Sequence, residues 1–412
     1  MTTARHIVRP KIRGYICVSA HPEGCAENVR EQIRYVQAQK PIRDAPRNVL
    51  IIGASTGYGL ASRIALAFGA KASTLGVFFE KPGESDRPAS AGWYNTAAFE
   101  QEAAKAGIKA WSINGDAFTH EVKAAALDII RKRMGKVDLV IYSLAAPRRT
   151  DPADGQSYRS VLRPVGQSFS SKTLDTDKNA VGFATLPPAT DDEIKATVKV
   201  MGGEDWELWM NALDAAGLLA EGCKSVAYSY LGPQVTWPVY KDGTIGQAKK
   251  DLERAAKRID ALLKFHRGQA FISVNKAVVT QASSAIPVVP LYIALLFKVM
   301  KARNLHEGCI EQAWRLFSTQ MYNENFVDFD DERRARLDDR ELSPEVQTEV
   351  FALWPKITTE NLFSETDYAS YQVEFLKLFG FGFPNIDYET PVTLDIPIPS
   401  IPPVATEAGQ KG

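Results

Sequence analysis

Tyr240 and Lys249 stand nine residues apart and have the side chains needed for acid catalysis. A lysine ammonium beside a phenol lowers the pKa of the phenol and makes it a better proton donor. Nine residues of continuous helix would turn through about 900° and place the two side chains on opposite faces. A shared site therefore requires Tyr240 to lie in a turn and Lys249 on the helix that follows. Gly243 and Gly246 would form that turn, and Thr244 is a candidate N-cap.

Three closely spaced glycines join a predicted buried strand, Val49–Ile52, to a predicted helix, Leu60–Phe68. Without Cβ atoms, Gly53, Gly57 and Gly59 allow a tight reversal and a close approach of the backbone to a pyrophosphate, which the helix N-terminus stabilises. Their G-x-x-x-G-x-G spacing differs from the Rossmann fingerprint and resembles that of short-chain dehydrogenase-like reductases. The alternative is an ordinary strand-to-helix turn. The turn predicts dinucleotide binding.

Glu80 ends the next predicted strand, about twenty residues beyond the glycine turn. A carboxylate there can accept hydrogen bonds from the adenosine ribose hydroxyls and would repel a 2′-phosphate. This favours NADH over NADPH. Two alternatives remain, because Glu80 could be a solvated strand end and the adjacent Lys81 could attract the phosphate.

Composition limits the function classes. The chain has 412 residues, is 45% hydrophobic and carries 49 basic and 49 acidic residues, so no net field draws it to nucleic acid or to an anionic membrane. Its four cysteines form no C-x-x-C pair, which suits a reducing compartment. His21 lies between Cys17 and Cys25, but the spacing suits loop packing better than zinc, so no metal is predicted.

Location is predicted from the terminus and from the most apolar segment. The first residues are polar and basic and lack the apolar core of a secretory signal, so a cytoplasmic location is expected. The apolar segment 286–300 is too short to cross a bilayer and contains Pro287, Pro290 and Lys298. We therefore expect no membrane insertion.

Alternating strand and helix patterns from Val49 to about Pro147 predict an α/β fold with a Rossmann-type doubly wound parallel sheet. We expect one enlarged domain, with residues 1–46 as an N-terminal extension packing on the core, 47–335 as the catalytic core, and 336–412 as C-terminal helices and a proline-rich tail. Residues 148–190 are polar and turn-rich, and we expect them to form an insertion, either a functional flap or a small surface hairpin. Strands are predicted at 49–52, 73–80, 109–113, 137–143, 224–230 and 270–274, and helices at 26–38, 60–68, 97–106, 121–134, 191–201, 206–219, 246–265, 286–300, 306–321, 344–353 and 368–378.

Motifs spread over nearly the whole chain resemble those of the trans-2-enoyl reductases of the FabV type. They are Gly53-Ala-Ser-Thr-Gly-Tyr-Gly59, Phe79-Glu80, Gly115-Asp-Ala117, Ala227-Tyr-Ser-Tyr230, the Tyr240 and Lys249 pair, and Asn275-Lys-Ala-Val-Val-Thr-Gln-Ala-Ser-Ser284. The eight-residue gap between tyrosine and lysine distinguishes this type from other short-chain reductases, which have shorter gaps. The resemblance implies NADH-dependent reduction of the double bond of a trans-2-enoyl thioester, carried on acyl carrier protein or coenzyme A, as the last step of fatty acid elongation.

Carried over by position, the resemblance implies that Tyr230 touches the substrate and that Lys249 holds the nicotinamide ribose. It places NADH against Gly53, Ala54, Ser55, Thr56, Gly57, Tyr58, Phe79, Glu80, Asp116, Ala117, Leu144, Ala145, Lys249, Val278, Val279 and Thr280. Either Tyr230 or Tyr240 could deliver the proton, and the spacing of Lys249 favours Tyr240. Hydride delivered to C3 pushes charge onto the thioester oxygen, which Tyr240 would stabilise and protonate.

Two other functions are compatible with the same fold. A carbonyl reductase of the short-chain type would use the same tyrosine against a ketone. A protein that senses NADH and regulates a partner would need no turnover, and the presence of both Tyr240 and Lys249 argues against it.

The apolar segment 286–300 exceeds one amphipathic stripe and faces either an acyl chain, through residues such as Ile293 and Leu295, or only the protein core. Lys298, Lys301 and Arg303 form either a landing site for an acidic carrier protein or a solvated helix end. We expect a monomer, because the terminal extensions can cover the surfaces that related folds use for assembly.

Overall fold

A computed structural model describes residues 5–144, 146–324 and 327–402. Its centre is a parallel sheet whose strands follow the order β3-β2-β1-β4-β5-β6-β7. The strands are β1 Asn48–Ile52, β2 Ser73–Phe78, β3 Ala110–Asn114, β4 Val137–Tyr142, β5 Leu219–Ser229, β6 Gln269–Val274 and β7 Arg334–Arg336. The strand order reverses between β1 and β4, so the predicted doubly wound α/β fold is confirmed.

Helices cover both faces of this sheet and continue beyond it. The α-helices are α1 Pro22–Gln37, α2 Gly57–Ala70, α3 Ala91–Lys105, α4 His120–Ile129, α5 Asp191–Met201, α6 Glu204–Ala215, α7 Thr244–Lys264, α8 Gln281–Ser284, α9 Val289–Ala302, α10 Cys309–Arg315, α11 Pro344–Leu353, α12 Leu362–Glu365 and α13 Tyr368–Lys377. Two π-helical turns, Ile130–Met134 and Leu316–Met321, extend α4 and α10, and 3₁₀ turns lie at Gln234–Thr236 and Trp354–Lys356.

β1 shows why the strands read as uninterrupted apolar runs. Val49 and Ile51 face a core shared with α1, α2 and α10, whereas Leu50 and Ile52 face a core shared with α4, α6 and α7. All four residues are fully buried. Successive side chains of a strand point to opposite faces, and helices cover both faces of a parallel sheet.

Helix α3 and strand β7 differ from the sequence-based expectation for identifiable reasons. Helix α3 begins at Ala91 rather than at residue 97, because every residue from Ala91 to Glu100 is buried and a helix buried on all sides has no amphipathic period. Strand β7 was not predicted, because it is a three-residue strand in which only Ala335 is buried between two arginines. The predicted domain boundary at residue 335 falls inside this strand, and the three-part division of the chain stays a prediction.

The inserted residues 148–190 form two antiparallel hairpins, the first joining Arg148–Thr150 to Ser157–Arg159 and the second joining Phe169–Asp175 to Ala180–Leu186. Lys172 of the second hairpin donates hydrogen bonds to the Pro355 and Ile357 carbonyl oxygens, each 2.7 Å away. The second hairpin is therefore fastened to the C-terminal part of the chain.

The two ends of the described chain pack together. Arg5–His6 pairs antiparallel with Val392–Thr393, and a small hairpin joins Ile12–Arg13 to Ile16–Cys17. The C-terminal segment continues over α3, where the Glu100 carboxylate accepts a hydrogen bond from the Ser400 backbone N–H at 2.8 Å. The predicted proline-rich tail is thus held on α3 at Ser400, and its residues 403–412 lie outside the described residues.

Candidate active site

The turn after β1 requires glycine at particular positions. Gly53 and Gly57 have positive φ angles of 87° and 52°. A Cβ atom on Gly53 would lie 2.2 Å from the Ser143 carbonyl oxygen, and one on Gly59 would lie 1.8 Å from the Gly53 carbonyl oxygen. Helix α2 begins in this turn at Gly57, so its first backbone N–H groups are available to an anion.

Two cavities adjoin each other near this turn. The larger one, of about 540 Å³, lies over the turn at the carboxyl ends of the strands. The predicted cofactor residues that line it are Gly53, Ser55, Thr56, Gly57, Tyr58, Phe79, Glu80, Asp116, Ala117, Leu144 and Thr280. It sits where the strand order reverses between β1 and β4, which is where open α/β sheets bind ligands. The glycine turn and the cavity together fit a dinucleotide.

The Glu80 carboxylate is held at one end of the larger cavity. Its Oε1 atom accepts a hydrogen bond from the Ser55 hydroxyl at 2.7 Å, and a Cβ on Gly92 would lie 2.0 Å from the same oxygen. Burial raises the pKa of Glu80, and hydrogen bonds from Ser90 and Ser55 oppose that rise. Phe79 is 75% exposed. Glu80 therefore stands between the glycine turn and the start of α3, with its carboxylate in a fixed position.

A smaller cavity of about 180 Å³ adjoins the larger one and is lined by Tyr230, Tyr240, Lys249 and Val278. The two cavities share wall residues, namely Tyr58, Ser143, Leu144, Thr280 and Ala282. A dinucleotide bound over the glycine turn would therefore extend from the larger cavity towards the tyrosines and the lysine of the smaller one.

Tyr240 lies in the turn that precedes α7, as the spacing argument requires. Its backbone N–H donates to the Thr236 carbonyl oxygen at 2.9 Å. The N-cap of α7 is Gly243, so the prediction that Thr244 caps this helix is wrong. The Thr244 hydroxyl instead donates to the Val161 carbonyl oxygen, which ties the start of α7 to the inserted segment.

Lys249 lines the same cavity as Tyr240, with no hydrogen bond joining the two described side chains. The Lys249 ammonium donates a hydrogen bond of 3.0 Å to the Tyr228 carbonyl oxygen. Burial lowers the pKa of Lys249 to about 8, and the charge of Glu253 opposes that change. Burial, reinforced by the charge of Glu341, raises the pKa of Tyr240 to about 12. The expected lowering of the Tyr240 pKa is therefore wrong for this structure, and the phenol is protonated at neutral pH.

Tyr230 and Tyr240 have different hydroxyl environments. The Tyr230 hydroxyl donates to Oε1 of Glu341 at 3.0 Å, and burial, followed by the charge of Glu341, raises its pKa well above the ordinary value. Within residues 5–144, 146–324 and 327–402, the Tyr240 hydroxyl has no protein hydrogen-bond partner. Of these two phenols, Tyr240 is the one free to meet a ligand.

Two of the predicted cofactor residues that the structure describes do not line either of these cavities. Ala54 is fully buried beneath the turn, where its backbone N–H donates to Val77 at 3.1 Å. Val279 lines a separate cavity of about 380 Å³ between α1, α2 and α10. Ala145 lies outside the described residues.

Several lining residues were missed by sequence reasoning. Tyr142 ends β4 and Ser143 begins the loop after it, and Tyr228 lies in β5, two residues before Tyr230, which follows that strand. Their positions at carboxyl ends of parallel strands were a usable signal. Arg148 of the first inserted hairpin also lines the larger cavity, and no local pattern marks it.

Two further features concern metals and membranes. No cluster of three or more histidine, cysteine, aspartate or glutamate side chains suited to a metal ion occurs among the residues that the structure describes. In the same part of the chain, no helix combines the length and the apolar character needed to cross a bilayer.

Family models match three successive parts of the chain. Residues 7–85 match the NAD(P)H binding domain of trans-2-enoyl-CoA reductase, and residues 87–322 match the trans-2-enoyl-CoA reductase catalytic region. Residues 329–392 match a model described as the enoyl reductase FAD binding domain. None of the described residues that line the two cavities comes from this last range.

Individual relatives match over almost their full length. The enoyl-[acyl-carrier-protein] reductase [NADH] of Opitutus terrae is 57% identical, over 95% of this chain and 100% of the relative, and that of Teredinibacter turnerae is 58% identical, over 94% and 97%. Among solved structures, the trans-2-enoyl-CoA reductase of Clostridium acetobutulicum in complex with NADH aligns with a TM-score of 0.93 at 42% identity, covering 96% of this chain and 100% of that one. The Treponema denticola trans-2-enoyl-CoA reductase with NAD aligns with a TM-score of 0.90 at 47% identity, covering 95% and 100%.

Proposed function

The chain belongs to the trans-2-enoyl-CoA reductase family, and we propose that it saturates the C2=C3 double bond of trans-2-enoyl thioesters with NADH, using Tyr240 as the proton donor and Lys249 as its partner. The observation that carries the residue assignment is the unpartnered Tyr240 hydroxyl on the wall of a cavity that adjoins the glycine turn. This reaction closes a cycle of fatty acid elongation.

The residues around the larger cavity suit NADH. The N-terminus of α2 and the glycine turn would hold the pyrophosphate, because a Cβ at Gly53 or Gly59 would collide with backbone. Glu80 would accept hydrogen bonds from the adenosine ribose and repel a 2′-phosphate. Lys249 would hold the nicotinamide ribose, since it lines the adjoining smaller cavity. Asp116, Ala117, Leu144, Val278 and Thr280 complete the proposed contacts.

When bound, NADH supplies the hydride that is added to C3 of the enoyl group. The thioester oxygen then gains negative charge, and the Tyr240 phenol donates a hydrogen bond to it and afterwards a proton. The resulting enol tautomerises, which places a hydrogen on C2 and gives the saturated thioester. The raised pKa of Tyr240 keeps that proton on the phenol until an enolate oxygen is close enough to take it. The Lys249 ammonium, fixed by the Tyr228 carbonyl, adds a positive charge beside the developing anion.

Tyr230 would form part of the wall against which the substrate packs. Its phenol proton is directed to Glu341 and away from a substrate oxygen. We therefore assign the acid role to Tyr240 and a binding role to Tyr230.

A direct assay tests the proposed reaction. Purified protein should oxidise NADH when crotonyl-CoA is added and should leave NADH unchanged with a 3-ketoacyl thioester. Oxidation of NADH with the ketone alone would support the carbonyl reductase alternative, and NADH binding without turnover on either substrate would support the regulator.

We propose that the acyl group is carried on acyl carrier protein or on coenzyme A. The predicted landing site receives no support, because Lys298 is paired with Glu365 at 3.3 Å, Lys301 is paired with Asp367 at 2.7 Å, and Arg303 also has an acidic partner, Glu349. A comparison of both carriers at several salt concentrations tests the preference.

We also propose that the protein is a cytoplasmic monomer. Its four cysteines are unpaired, as expected in a reducing compartment, and the C-terminal segment covers the edge of the sheet at β3, where the Ser112 backbone N–H donates to the Ser400 hydroxyl at 2.9 Å. Light scattering of the protein as it elutes from a size-exclusion column would give its mass in solution and test whether it is a monomer.

A further inference from the structure

Glu341 is a carboxylate buried directly behind the smaller cavity, with 0% of the residue exposed. It follows β7, whereas Tyr230 follows β5 and Ala277 follows β6. These strands are parallel neighbours, so their carboxyl ends bring the three residues to one point at the same edge of the sheet. The short strand β7 therefore delivers a negative charge to the back of the candidate active site.

Both oxygens of Glu341 are occupied by hydrogen-bond donors. Oε1 accepts from the Tyr230 hydroxyl at 3.0 Å and from the Tyr292 hydroxyl at 2.7 Å. Oε2 accepts from the Ala277 backbone N–H at 2.6 Å. Three donors suit an ionised carboxylate, which can only accept. The buried Lys276 adds a positive charge that opposes the rise in the pKa of Glu341 caused by burial.

Two of the hydrogen-bond partners of Glu341, Tyr230 and Ala277, connect it to the cavity that contains the proposed catalytic groups. The ring of Tyr230 stands edge-on against the ring of Tyr240, with centroids 4.8 Å apart. Ala277 lies within the segment 275–278, which lines the smaller cavity. Loss of the carboxylate would therefore loosen two walls of that cavity at once.

We propose that Glu341 is a positioning residue for the reduction, which holds Tyr230 and the backbone of Ala277 so that Tyr240 is presented to the substrate in one orientation. Glu341 lies behind the wall and acts through its partners. The inference rests on the proposed role of Tyr240 and adds to it a residue that lies far along the chain from the catalytic pair.

The test compares Glu341→Gln, Tyr230→Phe and the double variant, with crotonyl-CoA and NADH as substrates. Gln keeps the size of the side chain but replaces an acceptor with a donor, so it cannot accept all three hydrogen bonds. Each single variant should lower kcat by about tenfold, with the Kd for NADH, from fluorescence titration, within about threefold of wild type. The double variant should have a kcat within about twofold of the poorer single variant, because both changes break the same hydrogen bond.

Glu100→Gln is the matched control, because Glu100 is also a buried carboxylate and accepts hydrogen bonds from Ser112 and Ser400 away from the two cavities. It should lower Tm and leave kcat unchanged. The inference is overturned if Glu341→Gln keeps the wild-type kcat, or if the losses of the two single variants multiply. If Glu341→Gln does not fold, a wild-type kcat for Tyr230→Phe overturns it instead. An inactive wild-type enzyme would refute the proposed function itself, which is a separate outcome.

Discussion

The rings of Tyr230 and Tyr240 meet edge to face at an interplanar angle of 88°, with their centroids 4.8 Å apart. This contact places two phenols on one cavity wall, yet only the Tyr230 hydroxyl is engaged, by Glu341 at 3.0 Å. Edge-to-face packing fixes the orientation of both rings. The pair therefore consists of one tyrosine that supports the wall and one that is free to react.

Lys249→Met should lower both kcat and NADH affinity, because it removes the positive charge proposed to hold the ribose and to stabilise the enolate. In the wild type, activity should also fall as the pH rises through about 8, where the Lys249 ammonium loses its proton. Steady-state rates between pH 6 and pH 10, together with NADH titrations, would measure these effects, because burial of the ammonium brings its pKa to about 8. A wild-type rate in the Met variant would contradict the assignment.

Lys249→Met should also stabilise the folded protein at neutral pH. Burial lowers the pKa of Lys249 to about 8 from 10.5, so between these values the unfolded state binds the extra proton and stability rises with pH. The free-energy cost of burying the charged Lys249 ammonium in the folded state is therefore fully present below pH 8 and disappears above about pH 10.5. Thermal unfolding should show Lys249→Met above wild type at pH 7, with the gap narrowing through this window. A gap that stays constant across the window would refute the linkage.

Glu80→Gln should improve the use of NADPH. Removing the carboxylate charge removes its repulsion of the 2′-phosphate, and the KM for NADPH should fall by about tenfold while the KM for NADH rises. Lys81→Ala is the matched control, because Lys81 is exposed and is the alternative partner for the phosphate. The account of cofactor choice would be wrong if Lys81→Ala changed NADPH use and Glu80→Gln did not.

Leu295→Ala should reduce stability without changing the preferred acyl chain length. Leu295 and its neighbour Ile293 are fully buried in α9, in a core shared with α11 and α13, and a Leu→Ala change in such a core costs about 2–5 kcal/mol. Val289, the first residue of α9, lines the smaller cavity instead, so Val289→Ala should change the preference. Denaturant unfolding measures the loss of stability, and rates with thioesters of several chain lengths measure the chain-length preference of each variant. A changed chain-length preference in Leu295→Ala would restore the acyl-binding role that the sequence left open.

Features set by local sequence were predictable, and those set by distant contacts were not. The glycine turn and Glu80 depend on strand, turn and helix patterns within one unit, and the structure places them around one cavity. Glu341 carries no such signal, because its role depends on a three-residue strand that delivers it to partners from two other strands. The hydrogen bond from Lys249 to the Tyr228 carbonyl was equally hidden, since no pattern in the sequence specifies which backbone oxygen a buried ammonium meets.

Tyr240→Phe tests the central claim most directly, because it removes one oxygen and keeps the ring that packs on Tyr230. The rate of crotonyl-CoA reduction should be measured in a single turnover with the enzyme saturated by NADH, beside the Kd for NADH. We predict a rate lower by about 10²- to 10⁴-fold, the usual contribution of a general acid, with the Kd nearly unchanged. A Tyr240→Phe enzyme that turns over at the wild-type rate would contradict the account.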